Sequence, residues 1–334
     1  MKLVTRDNLE SWAKTTFSKS ALPYLISRLV RATTPISTKA DFPSGSATFI
    51  GGWDGIVSCE VAELPSNLLS EILFKAGTEE TNEAPRFKGY EIERIFEELD
   101  KRKDIDKSTL IRLEWLFLPI LDSYGTRRNP KVLEEELANN PEFFIEILKW
   151  VYLPKDRALL DREREGLSDD LIQSRAKQAY HLLHSWKKIP GMKEDKSMDT
   201  TTLQEWVLKV RQLAKAVDRL EVADSEIGKI LTQYPENIPE WPQEAIFQTI
   251  DEINTRSIKS GYSTAMFNKR GSTTRGPYDG GNIERAKARY FEKLETDFQY
   301  KYPNVAEIFK HMKQRYLEDA KREDEEAQRN KLEY

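Results

Sequence analysis

From Ser66 onward, the apolar residues of this chain recur with the spacing of an α-helix, and this pattern limits the possible folds more than any other. Residues three and four positions apart share one face of a helix, so each apolar stripe predicts an amphipathic helix that needs a neighbour. Short punctuated connections, such as Asn129-Pro130 and Asn140-Pro141, predict helical hairpins. Asn140 is predicted to cap the helix that Pro141 begins. The stripes are Ile92, Ile95, Phe96 and Leu99; Leu110, Leu113, Phe117, Ile120 and Leu121; and Phe143, Phe144, Ile147, Leu148 and Val151.

A second set of helical stripes follows a charged stretch at residues 155–165, which we interpret either as a domain boundary or as a solvated helix. Asp224-Ser225 resembles a helix cap and predicts that a short helix begins there. The last helix is predicted from about Asn304, with a charged end at residues 318–331. Helical pairs that recur at such intervals predict a mainly α fold, either an α-solenoid-like array or an irregular helical bundle.

Residues 1–64 are predicted to form a small α+β segment. Two β-rich runs at 47–50 and 56–61 flank the turn Gly51-Gly52-Trp53-Asp54-Gly55, which predicts a β-hairpin. We therefore divide the chain into this segment, a first helical group at 65–155, and a second helical group at 156–334 that ends in a charged helix.

Composition narrows the class of protein. Charged residues make up 32% of the 334 residues, but the net charge is only −4, so no global field draws the chain to nucleic acid or to a membrane. The single cysteine, Cys59, excludes an intramolecular disulfide and a cysteine-built zinc site, which suits a reducing cytosol. The sequence has no apolar run long enough for a membrane span and no signal peptide. We expect a cytoplasmic protein without a bound cofactor.

Asp54 is the first candidate for chemistry. An acid between glycines, just beyond a strand, is where nucleases of the restriction type place a metal-binding carboxylate. Such a site also needs a second acid and a lysine on the next strand. Glu60 lies there, but Lys75 is the first lysine that follows, so the alternative is a turn aspartate that binds backbone amides.

Arg175 and His181 are the second candidate, because their spacing fits the Arg-x(4–6)-His motif of HEPN-type ribonucleases. In that motif one helix presents both side chains to a scissile phosphate. His181 and His184 flank Leu182-Leu183, so the alternative is that at least one of them packs in a helix interface. The sequence supplies no third donor at a spacing that would complete a metal site.

The third candidate is a basic loop, defined here as residues 268–277, which precedes Asp279-Gly280-Gly281-Asn282 at a helix start. Glycines and exposed helix amides beside cations predict a cradle for an anion or a nucleic acid. Because the loop lacks the closing Gly-Lys-Ser/Thr of a P-loop, it does not indicate nucleotide hydrolysis. The alternative is a surface loop whose arginines pair with neighbouring acids. The basic residues are Lys269, Arg270, Arg275, Arg285 and Arg289.

The tryptophans are predicted mostly as anchors between helices, and some as interface residues. Five of them lie in the helical region: Trp115, Trp150, Trp186, Trp206 and Trp241.

Several motifs together resemble large multidomain bacterial proteins of the antiphage-defence type. At the start these are the run at 22–30, Asp41-Phe42-Pro43-Ser44-Gly45 and Gly52-Trp53-Asp54-Gly55. Further on they are the motifs at 86–90, 113–115, 140–144, 182–186, 222–228, 268–271 and 318–324. The resemblance implies a nuclease-like beginning and a helical recognition end. The lysine-bearing strands and the NTPase module of those proteins are missing here, so only Asp54 carries over as a nuclease-like position.

The resemblance implies a compact, non-catalytic relative that binds a phage protein or a partner subunit. Two other functions remain open. One is a nucleic-acid-binding protein that uses the basic loop, and the other is a metal-dependent nuclease at Asp54 or a HEPN-like RNase at Arg175 and His181. The sequence does not reveal the oligomeric state.

Overall fold

The protein is mainly α-helical, as the apolar periodicity predicts. The computed structural model describes residues 39–41, 56–58, 64–78, 89–121, 128–234, 243–271 and 274–333. Within these ranges, two short strands, β1 (Lys39–Asp41) and β2 (Ile56–Ser58), pair antiparallel, with Ala40 opposite Val57. Strand β2 lies within the second predicted strand, but its observed partner is β1, which the sequence did not indicate. The first predicted strand, at 47–50, lies outside the described residues, as does Cys59.

The chain divides into two compact units, Met1–Val132 and Leu133–Tyr334. The predicted boundaries at 64/65 and 155/156 stay predictions. The first unit contains α1 (Ser66–Thr78), α2 (Gly89–Asp100), α3 (Lys107–Leu116) and α4 (Leu118–Leu121), and α5 (Lys131–Asn139) spans the division. The second unit contains α6 (Pro141–Val151), α7 (Arg157–Arg164), α8 (Asp169–Ser185), α9 (Thr200–Ala216), α10 (Leu220–Ile230), α11 (Gln243–Ile253), α12 (Arg256–Asn268), α13 (Asn282–Phe298) and α14 (Pro303–Glu333).

The first unit packs α1 to α4 around one apolar cluster that includes Leu73, Phe96 and Leu113. Beside this core, the buried guanidinium of Arg128 lies 2.6 Å from a carboxylate oxygen of the buried Glu114 and 2.8 Å from one of Asp100. Burial alone would raise the pKa of Asp100, but the hydrogen bonds and charges of Arg128 and Lys131 outweigh it and lower that pKa. The ion pairs therefore keep Asp100 charged inside the unit.

The second unit contains an aromatic cluster in which Phe144 contacts both Trp186 and Trp206, with ring centroids 5.6 and 5.2 Å apart. Both tryptophans are buried, and the Trp206 indole N–H donates to the backbone oxygen of Leu137 at 3.1 Å. The predicted anchoring role is thus confirmed for these two. Trp241 lies outside the described residues. The predicted cap is also confirmed, since the Asn140 side chain accepts from the backbone N–H of Phe143, and Pro141 begins α6.

Helices α10 and α12 cross with almost no space between their backbones. A Cβ atom on Gly228 would lie 2.3 Å from the backbone oxygen of Ile258, and one on Gly261 would lie 2.0 Å from that of Ser225. Only glycine allows so close an approach. The crossing brings the Asp224 carboxylate within 2.8 Å of the Thr255 hydroxyl that donates to it.

The predicted helix start at Asp224-Ser225 is wrong, because both residues lie inside α10. The Asp224 side chain is buried and accepts from Arg211 at 2.8 Å instead of capping backbone amides. The charged stretch at 155–165 contains helix α7, capped by Asp156, in line with the solvated-helix alternative. Helix α14 continues through the charged end at residues 318–331, as predicted. None of the helices in the described ranges combines the length and the apolar character that a membrane span requires.

Candidate functional site

A cleft of about 300 Å³ opens in the second unit where the end of α8 meets α10 and α12. We call it the Trp186 cleft. Polar side chains from three separate parts of the sequence converge there, because the glycine crossing holds α12 close to α10. Its polar and aromatic lining consists of His184, Trp186, Glu226, Lys229, Gln233, Asn268 and Lys269.

Glu226 is the acidic group of the cleft and is largely buried. Its carboxylate accepts hydrogen bonds from the Tyr152 hydroxyl and, at 2.7 Å, from the Lys229 ammonium group. Burial, followed by the negative charge of Glu226, raises the pKa of Tyr152, so the phenol stays protonated and keeps donating. Both hydrogen bonds are accepted by the same oxygen, Oε1.

Two cations and a histidine line the rest of the cleft. The Lys229 ammonium has three N–H donors, and Glu226 accepts from it through one oxygen. The Lys269 ammonium lies 4.9 Å from the centroid of the Tyr234 ring, a cation–π contact. The exposed His184 ring stacks on Tyr180 with centroids 4.4 Å apart. The cleft is therefore richer in donors than in acceptors.

Trp186 adds a buried polar atom to the same wall. The side chain is only 4% exposed, and its indole N–H has no acceptor among the described residues. Buried N–H groups in proteins are nearly always hydrogen-bonded, so this one calls for an explanation. The nitrogen is closed to solvent, so it is not one of the donors that a ligand in the cleft would meet. The arrangement suits a ligand that carries oxygen acceptors, above all a carboxylate.

The basic loop and the start of α13 make ion pairs with each other and with α14. Arg275 lies 2.7 Å from both Glu284 and Glu323, Arg285 lies 2.6 Å from Asp324, and Arg270 lies 4.0 Å from Asp319. This is the arrangement of the alternative interpretation, in which the arginines pair with neighbouring acids. Arg289 is exposed on α13, and of the five predicted anion-binding residues only Lys269 lines the Trp186 cleft. Anion binding by these residues stays a prediction.

The helix start that was predicted as an anion cradle holds a carboxylate from within the chain. The backbone N–H of Gly281 donates to Asp324 at 2.9 Å, immediately before α13 begins. The hydrogen bond from Arg285, followed by the one from Gly281, lowers the pKa of Asp324. The carboxylate of Asp324 thus lies where an external anion was predicted.

Arg175 and His181 are not brought together into an obvious pair. The Arg175 guanidinium lies 5.0 Å from the centroid of the Trp150 ring. Six residues of an α-helix correspond to a rotation of about 600°, so the two side chains leave α8 roughly 120° apart. Asp54 lies outside the described residues. Both catalytic assignments stay predictions, and the described part of the chain contains no cluster of three or more potential metal ligands.

Glu226, Lys229 and Gln233 were not predicted as site residues from the sequence. Glu226, Lys229 and Ile230 are spaced at i, i+3 and i+4, which marks one face at the end of α10, and Gln233 follows just beyond the helix. That face was overlooked because Asp224-Ser225 was interpreted as a helix start. Its link to Asn268 and Lys269 depends on the crossing of α10 and α12, which the spacing along the chain does not reveal.

The chain matches no protein family model, no curated protein and no solved structure. The residues of the Trp186 cleft are therefore the basis for the proposed function.

Proposed function

We propose that this protein is a non-catalytic helical recognition module that binds an acidic segment of a partner protein in the Trp186 cleft. The observation that carries the proposal is the convergence of Lys229, Lys269 and His184 around Trp186. Glu226 accepts hydrogen bonds from Tyr152 and Lys229, so an incoming carboxylate meets two lysines and one carboxylate, which together carry one net positive charge.

The size and chemistry of the cleft favour a protein segment. At about 300 Å³ the cleft is at the lower end of the range for small-molecule pockets and has room for one or two side chains. Two separated lysines and the amides of Gln233 and Asn268 suit acceptors that are spread along a peptide. A tryptophan at the centre of such a patch is a frequent source of binding energy.

We propose further that the partner belongs to bacterial antiphage defence, either a phage protein or a subunit of a larger system. The motifs that resemble multidomain defence proteins support this proposal, and three of them, at 182–186, 222–228 and 268–271, contribute residues to the cleft. We also propose that the helices form either an α-solenoid-like array or an irregular bundle. Small-angle X-ray scattering distinguishes these two arrangements, because an elongated array and a compact bundle of this length differ in radius of gyration.

The recognition proposal is tested by affinity capture with matched variants. Wild-type protein, Lys229→Ala/Lys269→Ala, and the control Lys177→Ala/Lys310→Ala are immobilised and exposed to lysates of infected and uninfected bacteria. The control lysines are exposed and lie outside the cleft. We expect one protein to be enriched on the wild type and the control but not on the cleft variant, and the purified partner to bind with the same order of affinities.

Capture that does not depend on the cleft lysines would contradict the site. The defence role has a separate test, in which phage plaques are counted on cells that express each variant together with the captured partner. We expect the wild type and the control to lower plaque counts and the cleft variant to leave them unchanged. Equal plaque counts on all three would refute the defence role without touching the binding result.

A further inference from the structure

Glu226 in the Trp186 cleft has one carboxylate oxygen to which the described part of the chain donates no hydrogen bond. The Tyr152 hydroxyl and the Lys229 ammonium group both donate to Oε1, the latter at 2.7 Å, and neither donates to Oε2. Unlike the indole nitrogen of Trp186, Oε2 is not closed to solvent. Because Glu226 lines the cleft, this oxygen is open at the wall of the cleft.

An open oxygen on so buried a carboxylate indicates a missing donor. The Glu226 side chain is only 8% exposed, so bulk water reaches little of it. A charged group that is largely removed from water costs free energy unless its lone pairs are satisfied. An ionised carboxylate accepts hydrogen bonds through both oxygens, whereas here both donors use the same one. Oε2 therefore suits a ligand that brings a donor of its own.

The position of Lys229 favours a charged donor over a neutral one. Its ammonium group has three N–H donors, of which Glu226 accepts from one, so a ligand carboxylate can accept from another. Since Lys229 lies 2.7 Å from Oε1 and a second such bond spans about 2.8 Å, the two carboxylates would approach within about 5.5 Å. Like charges at this distance repel in a largely buried site. A neutral donor at Oε2 would leave this repulsion, whereas a cation would offset it.

We infer that Glu226 selects for a lysine or arginine of the partner, close to the acidic residue that contacts Lys229. This inference rests on the proposed function and narrows its ligand from an acidic segment to one with neighbouring opposite charges. The basic side chain donates to Oε2 while the acidic side chain accepts from Lys229. The cleft, at about 300 Å³, has room for these two side chains. Glu226 is thus the specificity-determining residue, and the cleft lysines attract the acid.

Fluorescent peptides test this inference by anisotropy with the full-length protein. Each peptide carries an aspartate and, at a varied distance along the peptide, a lysine. It is compared with a twin in which norleucine replaces the lysine, which keeps the aliphatic chain and removes the ammonium group. We expect the wild type to bind the best lysine peptides at least about tenfold more tightly than their twins, because a hydrogen bond between charged groups is lost in the twins.

Two variants locate the preference. Glu226→Gln removes the charge and keeps the shape of the side chain, and we expect its preference for lysine to fall below about threefold. It should bind the norleucine twins at least as tightly as the wild type does, because the repelling charge is gone. A variant that only disturbed the shape of the cleft would bind both peptides more weakly, and this result would overturn the inference. Glu205→Gln is the matched control at an exposed acid outside the cleft, and it should bind like the wild type.

The remaining outcomes separate this inference from the proposed function. Peptide binding that needs Lys229 and Lys269 but is indifferent to the peptide lysine would overturn the selection by Glu226 and leave recognition of an acidic segment intact. A preference for lysine that persists in folded Glu226→Gln would also overturn it. Binding of no acidic peptide would overturn both. Far-UV circular dichroism checks folding, and if Glu226→Gln is unfolded, equal affinity of the wild type for lysine peptides and their twins is the result that overturns the inference.

Discussion

The crossing of α10 and α12 gives the sharpest stability prediction, because it reverses the usual effect of replacing a helical glycine. In an open helix, Gly→Ala stabilises by about 1 kcal/mol through helix propensity. At Gly261 the new Cβ would lie 2.0 Å from the backbone oxygen of Ser225 and 2.8 Å from its carbonyl carbon. Backbone atoms cannot move aside by rotating a side chain, so Gly261→Ala forces the two helices apart.

The expected cost follows from the separation required. Ordinary contact needs about 3.5 Å, so the helices must move apart by roughly 1.5 Å at this point. Overpacking of this kind costs up to about 3 kcal/mol. Weakening the hydrogen bond between Thr255 and Asp224 adds about 1 kcal/mol, and the gain in helix propensity offsets about 1 kcal/mol. We expect a net loss of about 2–3 kcal/mol.

Differential scanning calorimetry measures this loss as a fall in the Tm of the second unit. For a unit of this size, we expect the Tm to fall by roughly 4–12 °C. Ser260→Ala is the matched control, since it is a neighbouring exposed position on the same helix, and its Tm should stay the same or rise slightly. An unchanged or higher Tm in Gly261→Ala would refute the argument from backbone contact.

Three further predictions concern charges and caps. Arg219→Ala should lower the free energy of unfolding in urea by about 3–5 kcal/mol, because it leaves Glu163 without the buried arginine that lies 2.5 Å away. A decrease below about 1 kcal/mol would contradict this. Asn140→Ala should cost about 1 kcal/mol through loss of the α6 cap, and an unchanged urea midpoint would argue against that cap. The pKa values of Asp324 and Glu284 are lowered in the folded state, so the stability they contribute is present at neutral pH. That contribution is lost as the pH falls through and below the ordinary carboxyl range of about 4. Thermal melts should therefore show a smaller decrease of Tm from neutral to acid pH for Asp324→Asn than for the wild type. An equal decrease of Tm would contradict the pairing.

The sequence predicted the helices well because their apolar stripes are local patterns. Phe144 and Leu148 lie on the predicted stripe of α6, and the Asn140 cap is set by residues within one turn. The prediction failed at Asp224, where a residue type that favours caps lies inside a helix. Its burial and its bonds to Arg211 and Thr255 come from tertiary contacts, which outweigh local propensity.

The site was less accessible from sequence for the same reason. His184 and Lys269 were both noticed, but as parts of separate motifs, and the glycine crossing of α10 and α12 that brings them together is invisible to spacing along the chain. The basic loop and the helix start after it were predicted to bind an external anion, with pairing of the arginines to neighbouring acids as the alternative. That the carboxylate of Asp324 accepts from the backbone N–H of Gly281 became apparent only from the packing of α14 on Gly281.

Binding of a peptide library tests the central claim, recognition of an acidic protein segment in the Trp186 cleft, most directly. Labelled full-length protein is applied to immobilised acidic peptides and to the same peptides with Asp→Asn and Glu→Gln replacements. We predict that the wild type and Lys177→Ala/Lys310→Ala bind a subset of the acidic peptides, and that Lys229→Ala/Lys269→Ala loses this binding. Equal binding to the neutral peptides, or acidic binding that survives the loss of both cleft lysines, would contradict the account.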